Sequence, residues 1–267
     1  MRTLVAVFLL LPALGFAVKS EKNYYLRPDS LDLTYSETRL KTPDGAELLS
    51  WILPTKATNS LKTTLVLAYG DAGNMGSTLF LAKALVGAGF DLLLFDYRGF
   101  GQSSAFPMDS TRLYYNEFAT DLDTALRAAR REFPANRLGV WSLSMGTVVA
   151  TLCLQKSRVD FLIADNYVKS PAGLVKLYKG WGKTVTLPEN ADRYPSLTPR
   201  ISCPVLFFGG TDDDVTSLAD ARAVAAQRPN RRVVAYRGWH GEAAKALTRK
   251  TYADDYVAEI VRFVRRN

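Results

Sequence analysis

The chain has 267 residues, 48% hydrophobic and 22% charged, a globular composition with length enough for one large α/β core. Lys and Arg outnumber Asp and Glu by 34 to 26, but Arg127, Arg130, Arg131, Arg262, Arg265 and Arg266 close two helical patterns, where cations complement the helix dipole. With no zinc-finger or RNA-binding signature beside that charge, a nucleic-acid role is excluded, and two cysteines, Cys153 and Cys203, exclude a disulfide framework.

The chain opens MRTLVAVFLLLPALGFAVKSEK. Arg2 gives a short basic start, Leu4 to Ala17 is an apolar run broken by Pro12, and Gly15 and Ala17 are small residues ahead of a cut. That layout predicts a secretory signal over residues 1–17. As a helix the run would rise only about 21 Å, short of the roughly 30 Å hydrocarbon core. A cleaved signal is therefore favoured over an uncleaved anchor or a buried helix, and the protein is expected to be exported.

Strands are predicted next at Leu33–Leu40 and Ala46–Leu53, joined through TPDGA as a hairpin. Further strands are predicted at Thr64–Ala68, Phe90–Phe95, Leu138–Trp141, Phe161–Ala164, Val205–Phe208 and Arg232–Tyr236. Helical patterns separate them. STLFLAKALVGAGF stops on Gly87 and Gly89, and NEFATDLDTALRAARREFP places Phe118, Leu122, Ala125, Leu126 and Ala129 on one face before Pro134. LADARAVAAQRP and ADDYVAEIVRFVRR behave alike. Strands alternating with helices read as parallel and covered on both faces. The expected architecture is a single α/β domain over 18–267, with a mostly parallel eight-stranded sheet.

Such sheets bind ligands beyond the carboxyl ends of their strands. GVWSLSMGTVVA sits at one such end, where a strand runs into a helix. A serine on a tight strand–turn–helix stands clear of the chain, but the turn tolerates only small residues two positions to either side. Ser142 and Gly146 flank Ser144 in that way, whereas Ser142 would have the branched Val140 behind it. Ser144 is the candidate nucleophile, and the N–H of Met145, first in the following helix, is a candidate oxyanion donor.

A serine needs a base, and the chain has one histidine, His240, between Gly238 and Gly241 just past the last strand. GGTDDDV supplies acids at the end of the preceding strand. Asp213 is chosen to orient the imidazole, with Asp165 after FLIA in reserve; the alternative is that these acids cap the helix near Ser217.

The order Ser144, Asp213, His240 resembles that of α/β-hydrolases, and other segments agree. AYGDAGNMG (68–76) resembles the family's His-Gly-x-x-Gly loop, FDYRGFGQSS (95–104) the turn after its fourth strand, and WSLSMGT, GGTDDDV and GWHG complete the set. The resemblance covers Leu33 to the C-terminus and is nearest to small-lid esterases, thioesterases and acylglycerol lipases. It implies that the backbone N–H of Asp71 is the second oxyanion donor. Tyr69 departs from the pattern, standing where the family usually has histidine. An Asp96–Arg98 pair is expected to shape the DYRGFG turn.

The family inserts its lid between the strands ending near Ala164 and beginning near Val205, here about 166–200. Its lysines and aromatic residues (Lys176, Tyr178, Lys179, Trp181, Lys183) read either as an edge for anionic lipid or as a solvated helix whose apolar side covers the site. The shortness of the segment favours the second. The resemblance implies hydrolysis of a small acyl ester or thioester, with no metal or organic cofactor. A serine peptidase of the same fold, a non-catalytic binding protein on this scaffold and a cofactor-free haloperoxidase-like enzyme are the alternatives.

Overall fold

The structure is a computed structural model that describes residues 18–109 and 111–267. The expected signal segment lies outside the described residues. Among them, no helix is long and apolar enough to cross a membrane.

Eight strands form one sheet: β1 Ser36–Lys41, β2 Glu47–Leu53, β3 Thr63–Ala68, β4 Asp91–Phe95, β5 Arg137–Leu143, β6 Phe161–Asp165, β7 Val205–Gly210 and β8 Arg231–Tyr236. Their order across the sheet is β8-β7-β6-β5-β3-β4-β2-β1. β1 and β2 pair antiparallel, β2 meets β4 antiparallel, and every other pairing is parallel. The burial follows from the composition. The central runs TTLVLA, DLLLF, FLIAD and VLFFGG are buried at every position, because helices cover both faces, whereas β1 is mostly exposed at the edge.

The major helices are α1 Leu79–Gly87, α2 Tyr115–Glu132, α3 Met145–Cys153, α4 Pro171–Gly180, α5 Leu218–Ala225 and α6 Asp254–Arg266. α2 buries the anticipated face, Phe118, Leu122, Ala125, Leu126 and Ala129, and α6 buries Tyr256, Ile260 and Phe263. Register aligns the working ends of the strands: Ala68 of β3 pairs with Ser142 of β5, Leu143 with Asp165 of β6, and Tyr236 of β8 with Gly210 of β7. The loops that follow β3, β5, β6, β7 and β8 therefore emerge together.

Two features depart from the sequence reading. Lys19–Ser20 forms a short parallel pairing with Ala72–Gly73, so the segment after residue 17 straps the loop that follows β3. Asp96 and Arg98 do not pair. Arg98 instead reaches the buried Asp121 of α2 at 2.7 Å and, bidentately, Asp44 of the β1–β2 turn at 2.7 and 2.9 Å. The guanidinium fork is shared between those two acids, whereas Asp96 accepts from Tyr24, Tyr69 and the Met75 N–H. Cys153 and Cys203 are free thiols, the first buried and the second half-buried.

Candidate active site

Ser144 occupies the turn between β5 and α3, with φ 49° and ψ −116°. That backbone conformation costs a non-glycine residue on the order of 1–3 kcal/mol. Gly146 makes the turn feasible, since a Cβ there would stand 1.8 Å from the Ala68 carbonyl oxygen. Ser142 is committed to the core: it is fully buried, and its hydroxyl donates to the Ile163 carbonyl at 2.7 Å. The Thr147 hydroxyl donates to the Ser144 carbonyl at 2.7 Å and accepts from the Val168 N–H at 3.0 Å, tying the turn to the segment after β6.

His240 reaches Ser144 from the loop after β8, whose bends pass through Gly238 and Gly241 at φ 155° and 77°. Its Nε2 lies 2.8 Å from Ser144 Oγ, and its Nδ1 lies 3.0 Å from Asp213 Oδ2. With the serine hydroxyl donating to Nε2, Nδ1 carries the ring proton and donates to the carboxylate. Asp213 accepts further bonds from the Val215 and Thr216 N–H groups at 2.9 and 2.8 Å, from Thr216 Oγ1 at 2.6 Å and from Asn166 Nδ2 at 2.7 Å. Burial alone would raise this carboxyl, but the bonds from His240 and Thr216 outweigh it and hold it at about 2. The helix cap considered for these acids is supplied by Ser217, whose hydroxyl accepts from the Asp220 N–H at 3.1 Å.

Asn166 is a site residue that sequence reasoning missed. Buried at the end of β6 with φ 53°, it donates to Asp213 and to the Tyr236 hydroxyl, and its Oδ1 accepts from the Gly241 N–H at 2.9 Å. One amide thus links the loops carrying the acid and the imidazole. An asparagine directly after a strand, able to adopt the left-handed conformation, was the available signal. Asp165, the reserve acid, makes no hydrogen bond to His240, whose Nδ1 is turned to Asp213. Its Oδ1 is buried without a hydrogen-bond partner, and burial, reinforced by the Asp213 charge, pushes its carboxyl up to about 7 despite the nearby Tyr256 hydroxyl and His240.

The loop after β3 carries Tyr69, Gly70 and Asp71. Gly70 packs against the serine turn, a Cβ there standing 3.7 Å from Ser144 Cβ. The Asp71 carbonyl accepts from the Lys19 N–H at 2.7 Å, and burial raises the Asp71 carboxyl. Met145 opens α3, where the first N–H groups have no acceptor within the helix. The role of Tyr69 is visible: its hydroxyl donates to Asp96 at 3.0 Å. Asp96 also accepts from the Met75 N–H at 2.7 Å and from the Tyr24 hydroxyl, so one buried carboxylate joins the N-terminal strap to both ends of this loop.

Ser144 and His240 open into a cavity of about 630 Å³, walled by Phe80, Leu81, Leu143 and Ala244 and reaching Asp71 and Asp165. α4 follows β6, capped by Ser170 and anchored by Leu174, with Lys176 and Lys179 turned to solvent; none of its residues is among those lining this cavity, so its apolar side does not cover the site as expected. Lys183 rests on the Tyr178 and Trp181 rings, 5.8 Å from each centroid.

Comparison with known proteins agrees with this geometry. The family model described as "Serine aminopeptidase, S33" matches residues 59–178. The uncharacterized protein Rv2307c of Mycobacterium tuberculosis is 29% identical over 205 residues, 73% of this chain and 68% of that protein. The esterase Pf2001 of Pyrococcus furiosus superposes with a TM-score of 0.73 at 18% identity, covering 93% of this chain and 97% of that one. The α/β-hydrolase GrgF from Penicillium sp. sh18 gives 0.66 at 16% identity, covering 88% and 99%. At those identities the superpositions speak for the fold. The sheet order, the serine turn and the superpositions together give this chain the α/β-hydrolase fold, and the partial family match agrees with it.

Proposed function

We propose that the protein is a serine hydrolase that cleaves carboxylic ester or thioester bonds through an acyl-enzyme on Ser144. The observation that carries this reading is the unbroken hydrogen-bonded line from Ser144 Oγ through His240 to Asp213. His240 Nε2 takes the serine proton as Oγ attacks the acyl carbonyl. The imidazolium that forms is stabilised by a carboxylate that four other donors keep ionised and in place. The N–H groups of Met145 and Asp71 receive the developing oxyanion, each worth on the order of 3 kcal/mol in such a site. His240 then protonates the leaving alcohol or thiol, and a water activated by the same nitrogen frees the acid.

Of the segment 166–200 only Asn166 lines the cavity, and the cavity's volume of about 630 Å³ supports esters of modest size over long peptides. The matching family description, which names an aminopeptidase, favours amide cleavage as the second reading. A fluorophosphonate probe should label the native chain and not Ser144→Ala; equal labelling of both would overturn the assignment. Short p-nitrophenyl esters assayed beside aminoacyl anilides separate the two readings, and turnover of the anilides alone would favour the peptidase.

A further inference from the structure

The loop that presents His240 gains little from packing. Trp239 is 59% exposed, Gly238 and Gly241 have no side chain, and the imidazole itself stays partly open to the cavity. What fixes the ring is therefore to be found in hydrogen bonds. The direction of its Cα–Cβ bond is set by the two peptide planes on either side of His240, because only φ and ψ turn between them. Each plane has a side-chain partner. The Trp239 carbonyl accepts from the Tyr236 hydroxyl at 3.0 Å, with the Glu242 N–H a longer second donor at 3.3 Å. The Gly241 N–H donates to Asn166 Oδ1 at 2.9 Å.

The two partners are joined. Asn166 Nδ2 donates to the Tyr236 hydroxyl at 2.9 Å and to Asp213 Oδ2 at 2.7 Å, so one connected set of bonds holds the acid and both peptides that flank the imidazole. Tyr236 reaches this place because its strand neighbour has no side chain. It pairs in register with Gly210 of β7, where a Cβ would stand 3.2 Å from the tyrosine ring. The residue is buried, and burial, reinforced by the Asp165 charge, pushes its hydroxyl up, so it remains a donor throughout the neutral range. A phenylalanine would fill the same space, so packing alone does not call for the hydroxyl.

Building on the hydrolase reading above, we propose that Tyr236 is a positioning residue: its hydroxyl, bonded to Asn166 and to the Trp239 carbonyl, holds the peptide before His240 so that the imidazole spans Ser144 and Asp213. It touches neither the serine nor the acid, and its effect passes through His240.

Tyr236→Phe should lower kcat for a short p-nitrophenyl ester about tenfold, with KM little changed and the melting temperature within a few degrees of native. Adding Tyr236→Phe to Asn166→Ala should cost little more than Asn166→Ala alone, since either loss frees the loop. A loss of about a hundredfold in the pair, the product of independent effects, would overturn the shared network. His240 is the only histidine in the chain, so its ring gives a single set of NMR signals. The Nδ1 proton should appear far downfield and exchange slowly in the native chain, and broaden or vanish in Tyr236→Phe. A native ring without that signal overturns the proposal even where the variant does not fold. A variant that keeps kcat, or that loses activity only in proportion to its folded fraction while the folded ring keeps a sharp signal, overturns it too. The NMR measurement needs no turnover. An ordered ring in a chain that the fluorophosphonate does not label would remove the hydrolase reading, whereas labelling together with an unaltered ring signal in Tyr236→Phe removes this inference alone.

Discussion

Replacing Asp165 by asparagine should change stability with pH in the direction opposite to the removal of an ordinary paired carboxylate. In the folded chain this carboxyl sits at about 7, against 3.8 for the free group. The folded state therefore keeps a proton that the unfolded chain releases between those values. Stability falls as pH rises from about 4 to about 7 and then levels, because above 7 both states are ionised and the folded one carries the burial penalty. The interval from 3.8 to about 7 corresponds to about 4 kcal/mol at full ionisation. The asparagine side chain would carry no charge, but its buried amide without a partner costs about 1–3 kcal/mol at every pH. The variant should thus be equal to or weaker than the native chain at pH 4.5 and stronger at pH 8. The difference in unfolding free energy should swing by about 3 kcal/mol between those conditions. Urea unfolding of both chains at about pH 4.5, 6 and 8 measures it directly. A pH-independent difference, or a variant that loses most at pH 8, would show that Asp165 ionises freely in the fold.

Three further outcomes follow from the geometry of the site. Ser144→Gly releases the positive-φ strain and should raise stability by about 1 kcal/mol while removing ester turnover; a lower melting temperature would contradict the strained turn. Gly146→Ala drives a Cβ to 1.8 Å from the Ala68 carbonyl and should cost more than about 3 kcal/mol or prevent folding, so near-native expression and unfolding would refute the close approach of α3 to β3. Asn166→Ala removes a donor to the Asp213 carboxylate and the acceptor for Gly241, and kcat should drop about tenfold with KM little changed. A rise in KM alone would point instead to a substrate contact.

The sheet was legible because its strands are short apolar runs separated by helical periodicity, and each of the eight was placed within a few residues. Ser144 was legible because a steric rule acts over five consecutive residues, and the roles of Gly146 and Ser142 follow from the same crowding. His240 was found by being alone. Asn166 was not found, because its function lies in bonds to residues 47 and 75 positions away, and no local pattern separates such an asparagine from one in any loop. The Asp96–Arg98 expectation failed for a related reason. Two oppositely charged residues in one turn look like partners, but proximity in sequence does not fix the directions of their side chains once the chain bends away from a strand. Each found a partner across the fold, Arg98 in Asp121 and Asp44 and Asp96 in Tyr69, Tyr24 and the Met75 N–H.

That second failure clarifies how the chain accommodates Tyr69 at the position where the α/β-hydrolases it resembles usually have histidine. The tyrosine hydroxyl donates to Asp96, and the same carboxylate takes the Met75 N–H from the far end of the loop. The loop is thus pinned at both ends to one buried acid, and Gly70 and Asp71 are held between the pins against the serine turn. The strap adds a third hold: Lys19 and Glu21 bond to the Asp71 and Gly73 carbonyls at 2.7 and 2.9 Å, and Tyr24 closes on Asp96. Burial pushes the Asp96 carboxyl up to about 6 even with those donors present. Had the donors been absent, that carboxyl would rise further and hold the loop less well once protonated. The aromatic residue at 69 therefore ties the loop to the acid that follows β4, and residues 18–24, remote in sequence from Ser144, become part of what holds Gly70 and Asp71 in the cavity that Ser144 lines.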